Sequence, residues 1–480
     1  MKQLLKFCCV LLTGLVIGCS PPAPTDPVTL SEIYAPIVTT PSPEGTNIAL
    51  GLAGYAKVMC SAVFVSGRDI EEAMQNSGYF FLPEELYGQV KYEIDNEKKS
   101  VTLSLGDSLS RTARIAGDQG SIIQTEEGLF FEPMEVKSTL GAADTMAWPM
   151  GDNVIKTTVE KYDQTLLRAA VDSAFSDPQA LTAAFVVVHN GEIVAERYAP
   201  GITKDTQLES WSMGKSLTAT LIGRMIQQGY FNIEDKAPVE AWQEEGDPRK
   251  EMKISDLLQM SSGLRFQSHR DPDAKPEINL MDHFYIYSGA VDAFNYSYDR
   301  PLEFPIGAIG QYHNCDPLIL GHIMKTTLTQ DGVDYLTYPQ LELFDKIGIR
   351  KQVMETDPHG NFLLTGFDYG TARNWARLGM LYLQKGKWND DQIIPESFTQ
   401  FVSTLAPAWK EPVYGGLFWI NGKEEMPIPK EAYYMAGAGG QRTIIIPSKN
   451  LVVVRMGHHR GDSAGMKTLN AALTELMKVF

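Results

Sequence analysis

Residues 185–198 read Phe185-Val186-Val187-Val188-His189-Asn190-Gly191-Glu192-Ile193-Val194-Ala195-Glu196-Arg197-Tyr198. Two apolar runs flank an Asn-Gly pair, which takes positive φ at low cost and matches the twist of paired strands. The stretch predicts a β-hairpin. Near the chain end, Thr443-Ile444-Ile445-Ile446 and Leu451-Val452-Val453-Val454 flank Pro447-Ser448-Lys449-Asn450 and predict two further strands. Helical patterns surround these strands. Leu166, Leu167, Ala170, Val171, Ala174 and Phe175 recur at intervals of three and four, and so do Leu469, Ala472, Leu473, Leu476 and Met477. Trp375, Leu378, Gly379, Leu381 and Tyr382 mark a helix between the strand regions. Strands at both ends and helices in the middle predict an α/β (α+β) domain over 156–480. It is expected to be one antiparallel sheet flanked by helices, with a mostly helical insertion.

The preceding stretch, 31–155, has a different texture and predicts a small N-terminal β-rich module of unknown role. A short helix is expected near Ile48 to Met59. Short apolar runs at Ala62–Val65, Tyr79–Leu82 and Val101–Leu105 predict strands. The turn-like Trp148-Pro149-Met150-Gly151-Asp152 marks the module's expected end.

Residues 1–19 carry Lys2 and Lys6 before a mostly apolar run, Phe7 to Ile17, which is shorter than the ~20 residues of a membrane span. This predicts a secretory signal. Its end, Val16-Ile17-Gly18-Cys19, resembles a bacterial lipobox, so Cys19 is the expected lipidation site. Residues 20–30, opening Ser20-Pro21-Pro22-Ala23-Pro24, predict an extended tether. The expected location is the bacterial cell envelope, anchored by lipid in the outer membrane and facing the periplasm. With Cys8 and Cys9 lost with the signal, Cys60 and Cys315 remain and are expected to be buried free thiols, a disulfide between them being the alternative in an oxidising compartment.

The chain has 480 residues, with 42 Lys and Arg against 59 Asp and Glu, a net charge of −17. That balance argues against broad nucleic-acid binding, which needs a cationic face to displace counterions. No His-Glu-x-x-His, Cys-x-x-Cys or phosphate-loop pattern occurs, so neither metal nor cofactor is expected. The adjacent His458-His459 reads as a solvated pair.

Chemistry enters at Trp211-Ser212-Met213-Gly214-Lys215, which opens an apolar helix ending near Gly229. Positions i and i+3 share a helix face, so the Ser212 hydroxyl lies beside the Lys215 amine. The positive helix end stabilises an alkoxide and disfavours an ammonium. The pair therefore reads as an activated nucleophile. Ser-x-x-Lys alone also fits a helix cap followed by a solvated lysine.

Three more segments follow in a telling order: Asp256-Leu257-Leu258-Gln259-Met260-Ser261-Ser262-Gly263-Leu264, Tyr312-His313-Asn314, and Gly437-Ala438-Gly439-Gly440-Gln441 before a hairpin. Together with Ser212 and Lys215 they resemble the motifs of serine β-lactamases of class C and related penicillin-recognising hydrolases. The resemblance covers about two thirds of the chain, 165–480. It implies that Tyr312 sits near Ser212 and Lys215, takes the Ser212 proton and later protonates the leaving group; Lys215 as the base is the alternative. It also implies that Asn314 bonds the substrate amide or Lys215. The oxyanion donors would be the Ser212 and Ala438 N–H groups, with Gly437 allowing close approach.

One departure is informative. Lys-Thr-Gly, the third motif of β-lactamases and cell-wall peptidases, is replaced here by Met435-Ala436-Gly437. The Gly-x-Gly-Gly-Gln form looks more like the 6-aminohexanoate-dimer hydrolase branch and related esterases. The expectation is a serine hydrolase of a linear amide or ester, with Arg442 or Arg455 as candidates to replace the missing cation. A penicillin-binding enzyme of the β-lactamase or D-alanyl-D-alanine carboxypeptidase type is one alternative. A catalytically inactive binding lipoprotein is the other.

Overall fold

The computed structural model describes residues 44–154, 161–268 and 281–480. The expected signal, the Cys19 lipid site and the 20–30 tether lie outside these residues.

The first element is α1 (Asn47–Phe64), capped by the Thr46 side chain on the Ala49 N–H at 3.3 Å. Its mean hydropathy of 1.4 suits a membrane span by length and composition, but 78% of it is buried inside the fold. It packs on a meander of β1 (Val90–Asp95), β2 (Ser100–Leu105), β3 (Leu109–Ile115) and β4 (Ser121–Ile123). The run Ala62–Val65 is therefore not a strand; it closes α1, because a helix buried all round shows no 3.6-residue pattern. Tyr79–Phe81 is a 3₁₀ turn rather than a strand, and consecutive rings touch, Tyr79 to Phe80 at 5.9 Å and Phe80 to Phe81 at 4.5 Å, which the alternating side chains of a strand would not allow.

After α2 (Gln164–Ala174), β5 (Thr182–His189) and β6 (Glu192–Tyr198) form the expected hairpin. Asn190 and Gly191 sit at φ +51° and +83°. A short strand β7 (Leu208–Glu209) leads into α3 (Met213–Gln227). Then come α4 (Asp282–Ser288), α5 (Cys315–Gln330), the small strands β8 (Val353–Met354) and β9 (Asp368–Gly370), and α6 (Ala372–Leu383). The chain returns as β10 (Trp419–Ile420), β11 (Tyr433–Gly437), β12 (Gln441–Ile446) and β13 (Leu451–Gly457), and ends in α7 (Asp462–Val479).

The main sheet has six antiparallel strands in the order β10-β11-β12-β13-β5-β6. The two chain ends thus meet where β13 pairs with β5. Side chains alternate across a strand, and both faces here are covered. Phe185, Val187, Ile444 and Val453 pack with Leu167, Ala170, Leu469 and Leu473 of α2 and α7. Val186, Val188, Val452 and Val454 face the other way, toward Leu217 and Leu221 of α3 and Trp375 of α6. This is the mixed architecture expected, with a helix-rich middle between the sheet halves.

The described residues, 44–154, 161–268 and 281–480, belong to one compact unit. Leu52, Tyr55, Val101 and Leu103 share one apolar cluster with α3, α5 and α6. The N-terminal segment expected to stand as a separate module up to 155 is thus packed into the same core. Lys57 of α1 bridges Glu355 at 2.8 Å, with side chains 2% and 0% exposed. Cys60 and Cys315 are both buried free thiols.

Candidate active site

Ser212 occupies the residue before α3, and its side chain makes no capping hydrogen bond. The plain helix-cap reading therefore fails. Trp211, just ahead, holds φ +48°, a left-handed conformation unusual for a bulky residue. It turns the chain so that Ser212 stays partly accessible while α3 behind it is buried. Lys215 Nζ lies 3.0 Å from Ser212 Oγ and donates to the Thr365 carbonyl at 3.0 Å. Gly214 permits that second contact: a Cβ there would lie 2.2 Å from the Leu364 carbonyl oxygen. Lys215 is 1% exposed, and among the described residues no carboxylate pairs with it. Desolvation, which penalises the ammonium, holds its amine well below the ordinary 10.5.

Tyr312 stands at the same place. Lys215 Nζ lies 4.9 Å from its ring centroid. Tyr414 meets the ring edge-on at 6.0 Å, and Trp419 lies against it at 5.3 Å. Ser212, Lys215 and Tyr312 are thus brought together. Asn314 is not part of that contact. Its Nδ2 donates to the His283 carbonyl and to the Tyr287 hydroxyl, both at 3.0 Å, and among the described residues its buried Oδ1 accepts no hydrogen bond, from Lys215 or any other donor. The Tyr287 hydroxyl donates in turn to Thr365 Oγ1 at 2.7 Å. Asn314 therefore braces the residue whose carbonyl holds Lys215. Tyr287 and Thr365 carry no sequence signal for this role, because one acts through a backbone carbonyl and the other belongs to a distant helix.

Gly437 ends β11, and Ala438, Gly439 and Gly440 turn the chain into β12. A Cβ on Gly437 would lie 2.1 Å from the Ser210 carbonyl oxygen, so the strand end abuts the segment before the nucleophile. Among the described residues neither the Ser212 nor the Ala438 N–H donates to a protein acceptor. Two free amides beside a serine hydroxyl are what a developing oxyanion requires. Met435 is fully buried and supplies no charge.

The two candidate cations differ. Arg455 is buried and donates to the carbonyls of Gly439, Gly440 and Ala180. It builds the turn and is not available to substrate. Arg442 donates through Nη1 to Gln441 O at 2.7 Å and Gly437 O at 3.1 Å. Its guanidinium lies 5.7 Å from the centroid of the Tyr434 ring, and burial lowers its pKa from the usual range, while the Tyr434, Asp462 and Tyr312 side chains act on it in the opposite sense.

The N-terminal segment reaches the site through Glu209, three residues before Ser212. Glu209 pairs with Arg68 at 3.2 Å, accepts from Ser77 at 2.7 Å and contacts His458 Nδ1 at 3.3 Å. His458-His459 is accordingly not a solvated pair: His458 is buried on Glu209, and His459 Nδ1 lies 3.1 Å from the Tyr79 hydroxyl. Adjacent histidines give no hint of partners so far away in sequence.

Among the described residues, His313, Cys315 and Asp316 have potential ligand atoms within 4.8 Å of one another. Their capacity is partly taken. His313 Nδ1 accepts the Cys315 N–H at 3.2 Å, and the Cys315 thiol donates to the Ser297 carbonyl at 3.4 Å. Burial also pushes the Cys315 thiol and the Asp316 carboxyl up, Asp316 to about 8, toward forms that bind metal poorly.

Comparison with known proteins places the chain in a family and a fold. The chain is 22% identical over 356 residues to an uncharacterized protein of Alkalihalophilus pseudofirmus, covering 66% of this chain and 95% of that one. It is 22% identical over 298 residues to the 6-aminohexanoate-dimer hydrolase of Paenarthrobacter ureafaciens, covering 58% and 73%. In fold it resembles a penicillin-binding protein homolog from Caulobacter crescentus, with a TM-score of 0.50, 16% identity, and coverage of 68% and 99%. A family model described as Beta-lactamase matches residues 157–476. The match spans the sheet, the Ser212 helix and the third-motif turn, and the chain belongs to the beta-lactamase family of serine hydrolases.

Proposed function

We propose that the chain is a serine hydrolase that cleaves a linear amide or ester through an acyl-enzyme on Ser212. The observation that carries this reading is the 3.0 Å contact between the Ser212 hydroxyl and a buried Lys215 amine whose pKa burial depresses. An amine that holds its proton less tightly than usual is more readily present in the neutral form that can accept one. In this reading Ser212 Oγ forms a bond to the substrate carbonyl carbon as its proton passes to Lys215 Nζ. The Ser212 and Ala438 amides receive the negative charge that develops on the carbonyl oxygen. The bond from carbon to the leaving nitrogen or oxygen then breaks, and the departing group takes the proton from Tyr312, which Lys215 re-supplies. Water repeats the attack and frees Ser212. Lys215 is taken as the first acceptor because its amine lies 3.0 Å from Ser212 Oγ; Tyr312 in that role is the alternative.

The substrate class follows from the third motif. Met435 offers no cation, which disfavours β-lactam and peptidoglycan substrates; relationship to a 6-aminohexanoate-dimer hydrolase favours a linear amide or ester. In this reading Arg442, whose Nη1 holds the Gly437 and Gln441 carbonyls, is the candidate to receive a substrate carboxylate. The signal-like start and Cys19 support an envelope lipoprotein held by an N-terminal lipid.

Intact-protein mass spectrometry tests the reading. Wild-type protein and Ser212→Ala would be incubated with a fluorophosphonate, a p-nitrophenyl ester, 6-aminohexanoate dimer and a penicillin. A single adduct that Ser212→Ala abolishes is expected from the fluorophosphonate and the ester. No adduct with any probe would favour an inactive binding protein. An adduct from penicillin alone would favour the penicillin-binding alternative.

A further inference from the structure

Two aromatic clusters flank the nucleophile. Tyr312, Tyr414 and Trp419 make one. The other is centred on Phe80, from the N-terminal segment that precedes the 157–476 family match. Its ring stacks on His459 at 4.1 Å and 22°, and meets Trp211 edge-on at 5.4 Å. Phe284 of α4 closes the cluster 6.2 Å away. Phe80 and Phe284 are only half-buried.

The neighbours of Phe80 fix where this wall stands. Trp211 directly precedes Ser212. His459 backs the 438–440 turn, since a Cβ on Gly439 would lie 3.0 Å from the His459 Cα. Phe80 therefore touches Trp211, which precedes one proposed oxyanion donor, and His459, which backs Gly439, the residue after the other. Its support is rigid. Phe81 stacks beneath it at 4.5 Å, and the Arg460 guanidinium lies 4.0 Å from the centroid of the Tyr79 ring, whose hydroxyl holds His459.

A carbonyl held by the two amides has two substituents to place. The leaving group must reach the proton on the Tyr312 side. Phe80, which contacts Trp211 and His459, and its neighbour Phe284 are then the candidates to line the acyl side. We propose, resting on the serine-hydrolase reading above, that these two rings form an acyl-side wall that selects substrates with a hydrophobic, flat acyl group. One half of the wall, Phe80, comes from the segment that precedes the family match and the other, Phe284, from α4 within it, and an aromatic acyl group gains ring contacts that a short acyl group cannot make.

The test holds the leaving group constant. The kcat/KM values of p-nitrophenyl phenylacetate and p-nitrophenyl acetate are compared for the full chain as wild type, Phe80→Ala, Phe80→Leu and Phe284→Ala. The wild-type ratio should favour phenylacetate, and each alanine variant should lower that ratio by about tenfold. Phe80→Leu keeps apolar bulk without a flat ring, should lower the ratio less, and carries the test with Phe284→Ala if Phe80→Ala does not fold. A ratio near one in wild type, or both esters slowed equally in the variants, overturns the wall while Ser212 adducts still form. Absence of a Ser212 adduct in wild type overturns the hydrolase reading and the wall with it.

Discussion

Replacing Arg68 by Met should damage the protein from a site that lies far from Ser212 in sequence. Arg68 and Glu209 are each 3% exposed in the side chain and sit 3.2 Å apart. Burial alone would raise the Glu209 carboxyl. The Arg68 charge, followed by His458 and Ser77, outweighs burial and brings it from 4.5 down to about 2. A depression of that size corresponds to about 3 kcal/mol of preference for the ionised form. Removing one partner of a buried pair typically costs about 3–5 kcal/mol, because the other charge stays buried. The two magnitudes agree, so Arg68→Met should lose about 3 kcal/mol or more in urea unfolding near pH 7. Arg68→Met with Glu209→Gln should lose less than Arg68→Met alone, since no orphan carboxylate remains. The sign with pH follows from a depressed carboxyl. Its contribution is complete above about pH 4.5 and fades as pH falls toward about 2. The penalty of Arg68→Met should shrink over that window. A loss below about 1 kcal/mol near pH 7, or a double variant worse than the single by the full Glu209 cost, would refute this account of the clamp.

Other outcomes follow from the same geometry. Gly214→Ala places a Cβ 2.2 Å from the Leu364 carbonyl oxygen, so it should move the Thr365 carbonyl off Lys215. It should cost about 1–3 kcal/mol in thermal unfolding and lower kcat more than it raises KM. Arg442→Met should raise KM about tenfold or more for an ester bearing a terminal carboxylate, with a smaller change for its methyl ester, read by steady-state kinetics. Cys19→Ala should abolish incorporation of radiolabelled palmitate and release the protein from the membrane fraction on cell breakage.

Much of the fold was legible because its signals are local. Asn190-Gly191 between apolar runs specifies a hairpin within a dozen residues, and the apolar faces of α2 and α7 repeat along a single helix. The Ser212–Lys215 contact was legible for the same reason, being one helical turn. Signals failed where partners come from far away. Asn314 has the spacing of its motif, yet Tyr287 of α4 and the His283 carbonyl take its amide. His458 and His459 look like surface residues until Glu209 and Tyr79 are seen beside them. The N-terminal segment reads as a separate module because buried pairs such as Lys57–Glu355 leave no pattern in either stretch. Arg442 and Arg455 could be told apart only by their acceptors, since both are arginines on neighbouring strands.

The central claim is that a buried, neutral Lys215 makes Ser212 nucleophilic. The rate of Ser212 acylation by p-nitrophenyl acetate, followed by intact-protein mass spectrometry from pH 5 to pH 10 in wild type and Lys215→Arg, tests it most directly. The account predicts a wild-type rate that falls only as Lys215 gains its proton, with an inflection well below 10.5, and a rate at least about a hundredfold lower in Lys215→Arg, whose guanidinium stays charged. An acylation rate that rises steadily to pH 10, or one that Lys215→Arg leaves intact, would contradict it.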